Sequence, residues 1–485
     1  MLFNSLHFAL FLPLIFILYW FVFNRTVRIQ NSLLLVSSYF FYACWDYRFL
    51  FLLIFSTLLD YFTALRMKET EKPHLRKFWF WLSVCINLGF LAIFKYYNFF
   101  SSSFAQALSL VGIKANFVTL SVILPVGISF YTFHGLSYVI DVYKKRIQPV
   151  SNFVDYSVFV SFFPLLVAGP IERATHLLPQ IRAKRSFDYS TAMDGMRQIL
   201  WGLFKKVVIA DNCAEYANTI FAHSANFSGS TNLLGAIIFA TQIYCDFSGY
   251  SDIALGTARL LGIELLRNFA FPYFSRDIAE FWRRWHISLS SWFRDYVYIP
   301  LGGSKVPKWK SVRNIFIIFL LSGFWHGANW TFLFWGALNA LYFLPLLLLN
   351  RNRNNLEIVA QGKLLPSIKE LFQMLTTFAI TVLAWIFFRA DNLTDAFHYL
   401  SRIFSRSLFS LPQGNAFIAS FHPYVIFLLI GILIIVEWFG REYKYALADM
   451  GLVKNKTIRY LSYYLLAMTI FFVGGKGQHF IYFQF

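Results

Sequence analysis

Apolar runs separated by short polar loops recur along the whole chain, beginning with residues 6–23, which are apolar apart from His7. That first run is long enough for a spanning helix, which needs about 20 residues. No cationic segment precedes it and no small-residue cleavage site follows it, so a retained helix is expected rather than a signal peptide. Arg25 and Arg28 come directly after it, which by the positive-inside rule places that end in the cytoplasm and Met1 outside. Residues 32–42 and 49–65 read as two further crossings, with Asp46 at the outer turn, and return the basic loop 66–77 to the cytoplasm. Residues 78–95 go out, 120–140 come back, and Lys144, Lys145 and Arg146 again fall inside.

The register breaks at 153–168. A crossing there would put the basic stretch 173–185 outside, and Pro164 with the Gly169–Pro170 step suits a re-entrant or shallow element lining a cavity. Further apolar runs lie at 199–210, 233–261, 315–324, 330–349, 371–388, 424–439 and 460–473, with solvated loops at 350–369 and 441–456. The pattern predicts an all-α, polytopic integral membrane protein with roughly eleven to thirteen membrane segments, some re-entrant or interfacial. No hydrophilic block is long enough to fold alone, so residues 1–485 are expected to form one transmembrane domain.

Composition agrees, because 58% of residues are hydrophobic and 14% charged, against about 25% charged in soluble domains. Lys and Arg number 43 against 24 Asp and Glu. The cations sit in short loops between apolar runs, which points to membrane lipids rather than nucleic acid as their partner. Cys44, Cys85, Cys213 and Cys245 form no CxxC pair and no metal-ligand spacing, so no metal site is expected. No internal repeat is visible, which weighs against transporter folds built from repeated halves.

Candidate chemistry concentrates in two tryptophan-rich blocks, FWRRWHISLSSWFRDYVYIPLGG and SGFWHGANWTFLFWGALN, each with one histidine. On a helical wheel Trp282, Trp285, His286, Leu289, Trp292 and Phe293 fall within an arc of about 120°, with Arg283, Arg284, Arg294 and the serines outside it. This predicts one cationic amphipathic helix in the membrane interface, with His286 on its apolar face. A lipid anchor and a catalytic element are both open readings of it. His326 lies between Trp325 and Gly327 with Asn329 three residues on, and reads either as a satisfied core histidine or as a functional group at membrane depth. The 40 residues between His286 and His326 suffice for a helix, a turn and a return, which lets the imidazoles converge.

A second polar run, YCDFSGYSDIALGTARLLGIELL, puts Asp246, Asp252 and Arg259 in an apolar segment. Such charges cost about 2.5–3.5 kcal/mol each on insertion scales. Asp246 or Asp252 is therefore expected either to pair with Arg259 or to line a substrate passage. Lys205, Lys206 and Asp211 in LFKKVVIADN, and Arg389 with Asp391, pose the same choice.

Acyl transfer from a thioester to an alcohol needs a base for the hydroxyl proton and a site that excludes water. Histidine, with an ordinary pKa of about 6.5, suits the first task, and an amide such as Asn329 suits an oxyanion. Trp325 and Trp285 are candidate supports beside the two histidines. A lipid or protein acyltransferase and a multi-pass transporter or flippase for an envelope precursor are the competing functions.

The histidine blocks, together with CDFSGYSDIALG, VAGPIERATHLLPQ and the terminal FIYFQF, resemble the bacterial branch of the membrane-bound O-acyltransferase family. The likeness is to its alginate-acetylating members and, more distantly, to those of teichoic acid D-alanylation. The resemblance implies a multi-helix disc with a central funnel or tunnel in the bacterial inner membrane, and His326 as the catalytic histidine with His286 beside it. It implies no bound cofactor, acetyl-CoA or an acyl carrier thioester as cytoplasmic donor substrate, an SGNH-type extracytoplasmic partner and a polysaccharide acceptor. His479 has no place in these motifs.

Overall fold

The computed structural model describes residues 1–114, 117, 119–120, 123–167, 169–417, 423–453, 455–478 and 480–483; His479, Ala168 of the VAGPIERATHLLPQ stretch, and Gln484 and Phe485 of the terminal motif lie outside the described residues. Among the described residues the regular structure is helical, without strands. In chain order the helices are α1 Leu6–Ile17, α2 Val27–Ala43, α3 Tyr47–Glu69, α4 Pro73–Leu91, α5 Tyr97–Leu110, α6 Ile128–Tyr143, α7 Phe153–Ser161, α8 Phe163–Leu166, α9 Ala174–Arg182 and α10 Tyr189–Leu203. They continue as α11 Asp211–Ala222, α12 Gly229–Leu260, α13 Ile278–Arg284, α14 Ile287–Phe293, α15 Lys308–His326, α16 Trp330–Leu348, α17 Ile368–Arg389, α18 Leu393–Ile403, α19 Pro423–Gly440 and α20 Lys456–Val473.

Five stretches among the described residues are long and apolar enough to cross a membrane: Tyr47–Glu69, Pro73–Leu110, Trp330–Leu348, Ile368–Arg389 and Pro423–Gly440. Other expected crossings are shorter, bent or charged. The run 6–23 is α1 followed by a wider π turn, Leu18–Val22. The expected 120–140 crossing is helical only from Ile128, because Gly127 is left-handed at φ 73° and a Cβ there would strike the Leu166 carbonyl; residues 121 and 122 lie outside the described residues. Within the segment 153–168, residues 153–166 form two helices, α7 and α8, broken at Phe162 and buried from Asp155 onward. Ser38 Oγ accepts the freed Phe163 N–H at 3.0 Å, so the break leaves that donor satisfied.

The chain forms two compact units, Met1–Ala192 with Thr257–Leu266, and Met193–Gly256 with Arg267–Phe485. The first unit is organised by buried polar contacts between its helices. Asp60 of α3 accepts from Ser83 and Asn87 of α4 at 2.6 and 2.7 Å, and Gly135 of α6 lies so close to the Asp60 carboxylate that a Cβ would clash. Asn31 of α2 donates to Asp155 of α7 at 2.8 Å. Such pairing is what a polar side chain in an apolar helix requires.

In the second unit, small residues set the helix spacing. A Cβ at Gly202 would meet the Gly249 carbonyl and one at Gly249 the Gly202 carbonyl, so the π turn after α10, Phe204–Ala210, lies directly against α12. Gly323 of α15 and Gly336 of α16 are likewise pressed on the carbonyls of Phe332 and Phe319. Without side chains at these positions the hairpin closes, and the end of α15 meets the start of α16.

Candidate active site

The first histidine block is not one amphipathic helix. Asp277 caps α13 by accepting the Glu280 N–H at 2.7 Å, and α13 ends at Arg284. His286 then takes a left-handed conformation, φ 43° and ψ 55°, before α14 begins at Ile287. The reason is Asn268. Its backbone carbonyl accepts the Ile287 N–H at 2.9 Å, and its Oδ1 accepts Ser288 Oγ at 2.9 Å and the Ser288 N–H at 3.4 Å. These bonds hold open a break that a 100° wheel cannot register. The arginines of the expected polar face are also used within the protein. Arg284 pairs with Glu280 at 2.8 Å, and Arg283 donates to the carbonyls of Asn352 and Asn355 at 2.8 and 2.7 Å.

The same asparagine fixes the imidazole. Backbone N–H groups only donate, so the bond from Ser288 identifies the Asn268 atom as Oδ1. That oxygen lies 3.0 Å from His286 Nδ1, which must therefore carry a proton and donate it. The lone pair is left on Nε2, which is buried and has no hydrogen-bond partner among the described residues. Burial pushes the His286 pKa down to about 3, so the ring is neutral.

His326 ends α15, and its ring centroid is 6.5 Å from that of His286. The two imidazoles, 1% and 4% exposed, thus share one site. Aromatic rings enclose them: Trp325, Trp335 and Phe388 stand 4.9, 5.3 and 5.2 Å from His326, and Phe247 stands 4.7 Å from His286. Both histidines line a cavity of about 180 Å³ with Trp282, Ile318, Phe319, Ser322 and Phe343 among its walls and the exposed Arg294 on its lining. Clefts of about 560 and 630 Å³ elsewhere are lined by neither histidine. Ligand pockets for drug-sized molecules run to roughly 300–1,000 Å³; the histidine cavity suits a short acyl group on a slender chain.

The remaining sequence candidates divide. Trp325 belongs to the aromatic enclosure. Trp285 packs on Phe281 and Trp385 at 5.6 and 5.0 Å and is core. Asn329 is an N-cap: its Oδ1 accepts the Thr331 N–H at 3.1 Å and its Nδ2 donates to the Asp391 carbonyl at 2.8 Å. One of its two amide N–H groups is used in this way, and Asn329 is not among the residues lining the histidine cavity. Another donor belongs to a lining residue: Trp282 borders the cavity, and its Nε1–H is buried without a partner among the described residues. The expected pairing of Arg259 with Asp246 or Asp252 does not form. Asp246 pairs with Lys206 at 2.7 Å, Asp252 with Lys205 at 2.6 Å, and Arg259 with Glu264 at 3.3 Å. Geometry decides this, since the π turn aims two adjacent lysines at carboxylates six positions apart on α12. Asp211 also pairs with Lys206, at 2.7 Å.

One family model, that of the membrane-bound O-acyltransferases, matches residues 138–387, which include both histidines. The chain belongs to the membrane-bound O-acyltransferase family. It is 37% identical over 448 residues to the probable alginate O-acetylase AlgI of Azotobacter vinelandii, covering 92% of this chain and 86% of that one. It is 36% identical over 429 residues to the peptidoglycan O-acetyltransferase of Helicobacter pylori, covering 82% and 79%. A more distant relative is the teichoic acid D-alanyltransferase of Bacillus subtilis, 30% identical over 229 residues, 44% of this chain and 57% of that one. As a member of this family the chain is a multi-pass membrane O-acyltransferase.

Three residues around the histidine pair are not among the candidates the sequence offers. Asn268 sits 18 residues before the histidine it orients, in no motif. Trp282 falls on the wheel as an apolar residue, a reading that takes no account of its N–H. Tyr482, in the terminal motif, puts its ring 5.4 Å from that of His326 and 4.6 Å from Phe247, and its hydroxyl is buried without a partner among the described residues.

Proposed function

We propose that this acyltransferase takes an acetyl group from a cytoplasmic thioester, acetyl-CoA or an acyl carrier, and passes it at the His286–His326 pair toward a polysaccharide hydroxyl outside the cell. The observation that carries the reading is the pair itself: two buried imidazoles on one small, apolar cavity, one with its lone pair fixed on Nε2.

In the chemistry proposed, His326 takes the proton of the attacking hydroxyl as its oxygen bonds to the thioester carbonyl carbon. His286, through Nε2, accepts a hydrogen bond from a neighbouring hydroxyl of the acceptor and so orients the attacking one. Negative charge gathers on the former carbonyl oxygen, where Trp282 Nε1–H is the available donor. Collapse expels the thiolate, which recovers the proton from His326, so that an ester and a thiol result. The dry aromatic enclosure keeps water from competing for the acyl group.

Charge placement supports the direction of transfer. Lys305, Lys308, Lys310 and Arg313 stand at the start of α15, which the positive-inside rule assigns to the cytoplasm. The cavity wall runs from Ile315 along that helix to His326 at its far end. Arg294, an exposed cation on the lining, suits the phosphates of either donor. On this reading the protein sits in the bacterial inner membrane with its N-terminus outside, and the acceptor is acetylated directly or through an SGNH-type partner. The names of the alginate and peptidoglycan relatives favour a polysaccharide acceptor over a lipid or protein.

Inside-out membrane vesicles supplied with labelled acetyl-CoA or labelled acetyl carrier test the proposal. Alkali-labile label should appear on polymer enclosed in the lumen with the SGNH-type partner present. Label that stays on cytoplasmic lipid or protein contradicts it.

A further inference from the structure

The buried charges around the π turn of the second unit reach the C-terminal tail. Lys206, Asp211 and Asp246 are 1%, 0% and 2% exposed. Lys206 Nζ lies 2.7 Å from a carboxylate oxygen of each acid. It also donates to the Gln478 carbonyl at 3.2 Å. The other oxygen of Asp246, Oδ2, accepts the Ile481 N–H at 2.7 Å. The ion pair therefore holds the tail by two backbone groups of opposite polarity three residues apart, cation to carbonyl and carboxylate to N–H.

Two further bonds lead the tail into this clamp. Asn212 Nδ2 donates to the Val473 carbonyl at 2.8 Å, and Gly475 N–H donates to the Val207 carbonyl at 3.0 Å. Phe480, fully buried, packs on Tyr250 at 4.5 Å. The residue after the clamped Ile481 is Tyr482, with its ring against His326 and its hydroxyl buried. A buried ion pair adds little net stability compared with well-packed apolar residues, but it fixes direction, because each charge accepts only one kind of backbone partner. Its placement here is at the anchor of a chain end, where an apolar contact would allow the backbone to slide.

We propose that the Lys206–Asp246 pair is a positioning device that clamps the C-terminal tail and thereby holds Tyr482 at the histidine site. Lys206 and Asp246 touch neither histidine in this assignment; they act through the tail. The proposal rests on reading the histidine pair as the place of acyl transfer.

The test uses the full-length protein in detergent or nanodiscs, with hydrogen–deuterium exchange and acyl transfer measured on the same samples. K206M should raise exchange in peptides covering 474–483 while those of α15 and α16 stay protected. Its kcat should fall by about 100-fold, the loss a displacement of roughly 1 Å near reacting groups can cause, with little change in KM for the donor. K206R, which keeps the charge, should recover most of both. The triple variant K206M/D211N/D246N removes the cation without leaving either buried carboxylate unpaired and should show the same local release if K206M folds poorly. Loss of transfer with a protected tail overturns the proposal, and so does a released tail with normal transfer. If H326A retains transfer, the histidine reading fails instead, whatever the tail does.

Discussion

Asn268 Oδ1 and His286 Nδ1 lie 3.0 Å apart, with the same oxygen also receiving the Ser288 hydroxyl. One buried amide thus bends the chain between α13 and α14 and decides which nitrogen of the imbedded ring is basic. Backbone conformation and protonation state have a common cause here.

The first consequence concerns pH. Burial lowers the His286 pKa to about 3, so across pH 5–8, where histidines ordinarily titrate, His286 stays neutral and adds no limb to the rate profile. N268D sets a carboxylate beside Nδ1 and raises that pKa, so an acid limb from His286 should move up toward neutral pH in that variant. Stability carries the matching sign. The unfolded histidine binds a proton near its ordinary pKa of about 6.5 and the folded one refuses it. The contribution of His286 is therefore flat above that pH and is lost as pH falls from there toward 3. Thermal unfolding of wild type against H286Q should show a difference that is constant at neutral pH and shrinks on acidification. A difference independent of pH down to 4 contradicts the buried, neutral ring.

Trp282 supplies the next test. W282F keeps an aromatic ring against Phe319 and Trp335, now 5.3 and 5.6 Å away, and removes only the indole N–H. Loss of one oxyanion donor typically costs about 100-fold or more in kcat. Transfer should fall by about that amount with KM for the donor little altered. An unchanged kcat means the oxyanion is held elsewhere.

Much of this was legible in the chain and some was not. The apolar runs gave the spanning helices closely, as with 371–388 for Ile368–Arg389 and 424–439 for Pro423–Gly440. These are set by local composition. The breaks were not legible where a distant side chain makes them. The wheel through 282–295 fails because Asn268 captures Ile287 and Ser288 from outside the helix. Ion pairs follow the same rule. Within its own segment the only basic partner the sequence offers Asp246 or Asp252, as the alternative to lining a passage, is Arg259, whereas α12 directs them to Lys206 and Lys205 of another. Asn329 looked like an oxyanion donor by its place in the motif and proved to be a helix cap, a role its spacing before Thr331 also fits.

Phe319 lines the cavity together with Ser322 and Phe343 and should govern acyl length. F319L opens space beside Ser322 and Phe343. Each methylene in such a pocket is worth roughly 10- to 200-fold in discrimination. Butyryl donor should gain on acetyl by at least about 10-fold in a competition for transfer, and an unchanged ratio would place the acyl chain in some other cavity.

In the reaction proposed here, His326 performs the chemistry at this site. The most direct measurement is the ester acetyl content of surface polysaccharide in cells carrying H326A or H326Q, normalised to the amount of protein in the membrane. Acetylation should drop to the level of cells lacking the protein while membrane levels match wild type. Acetylation that persists in either variant contradicts it.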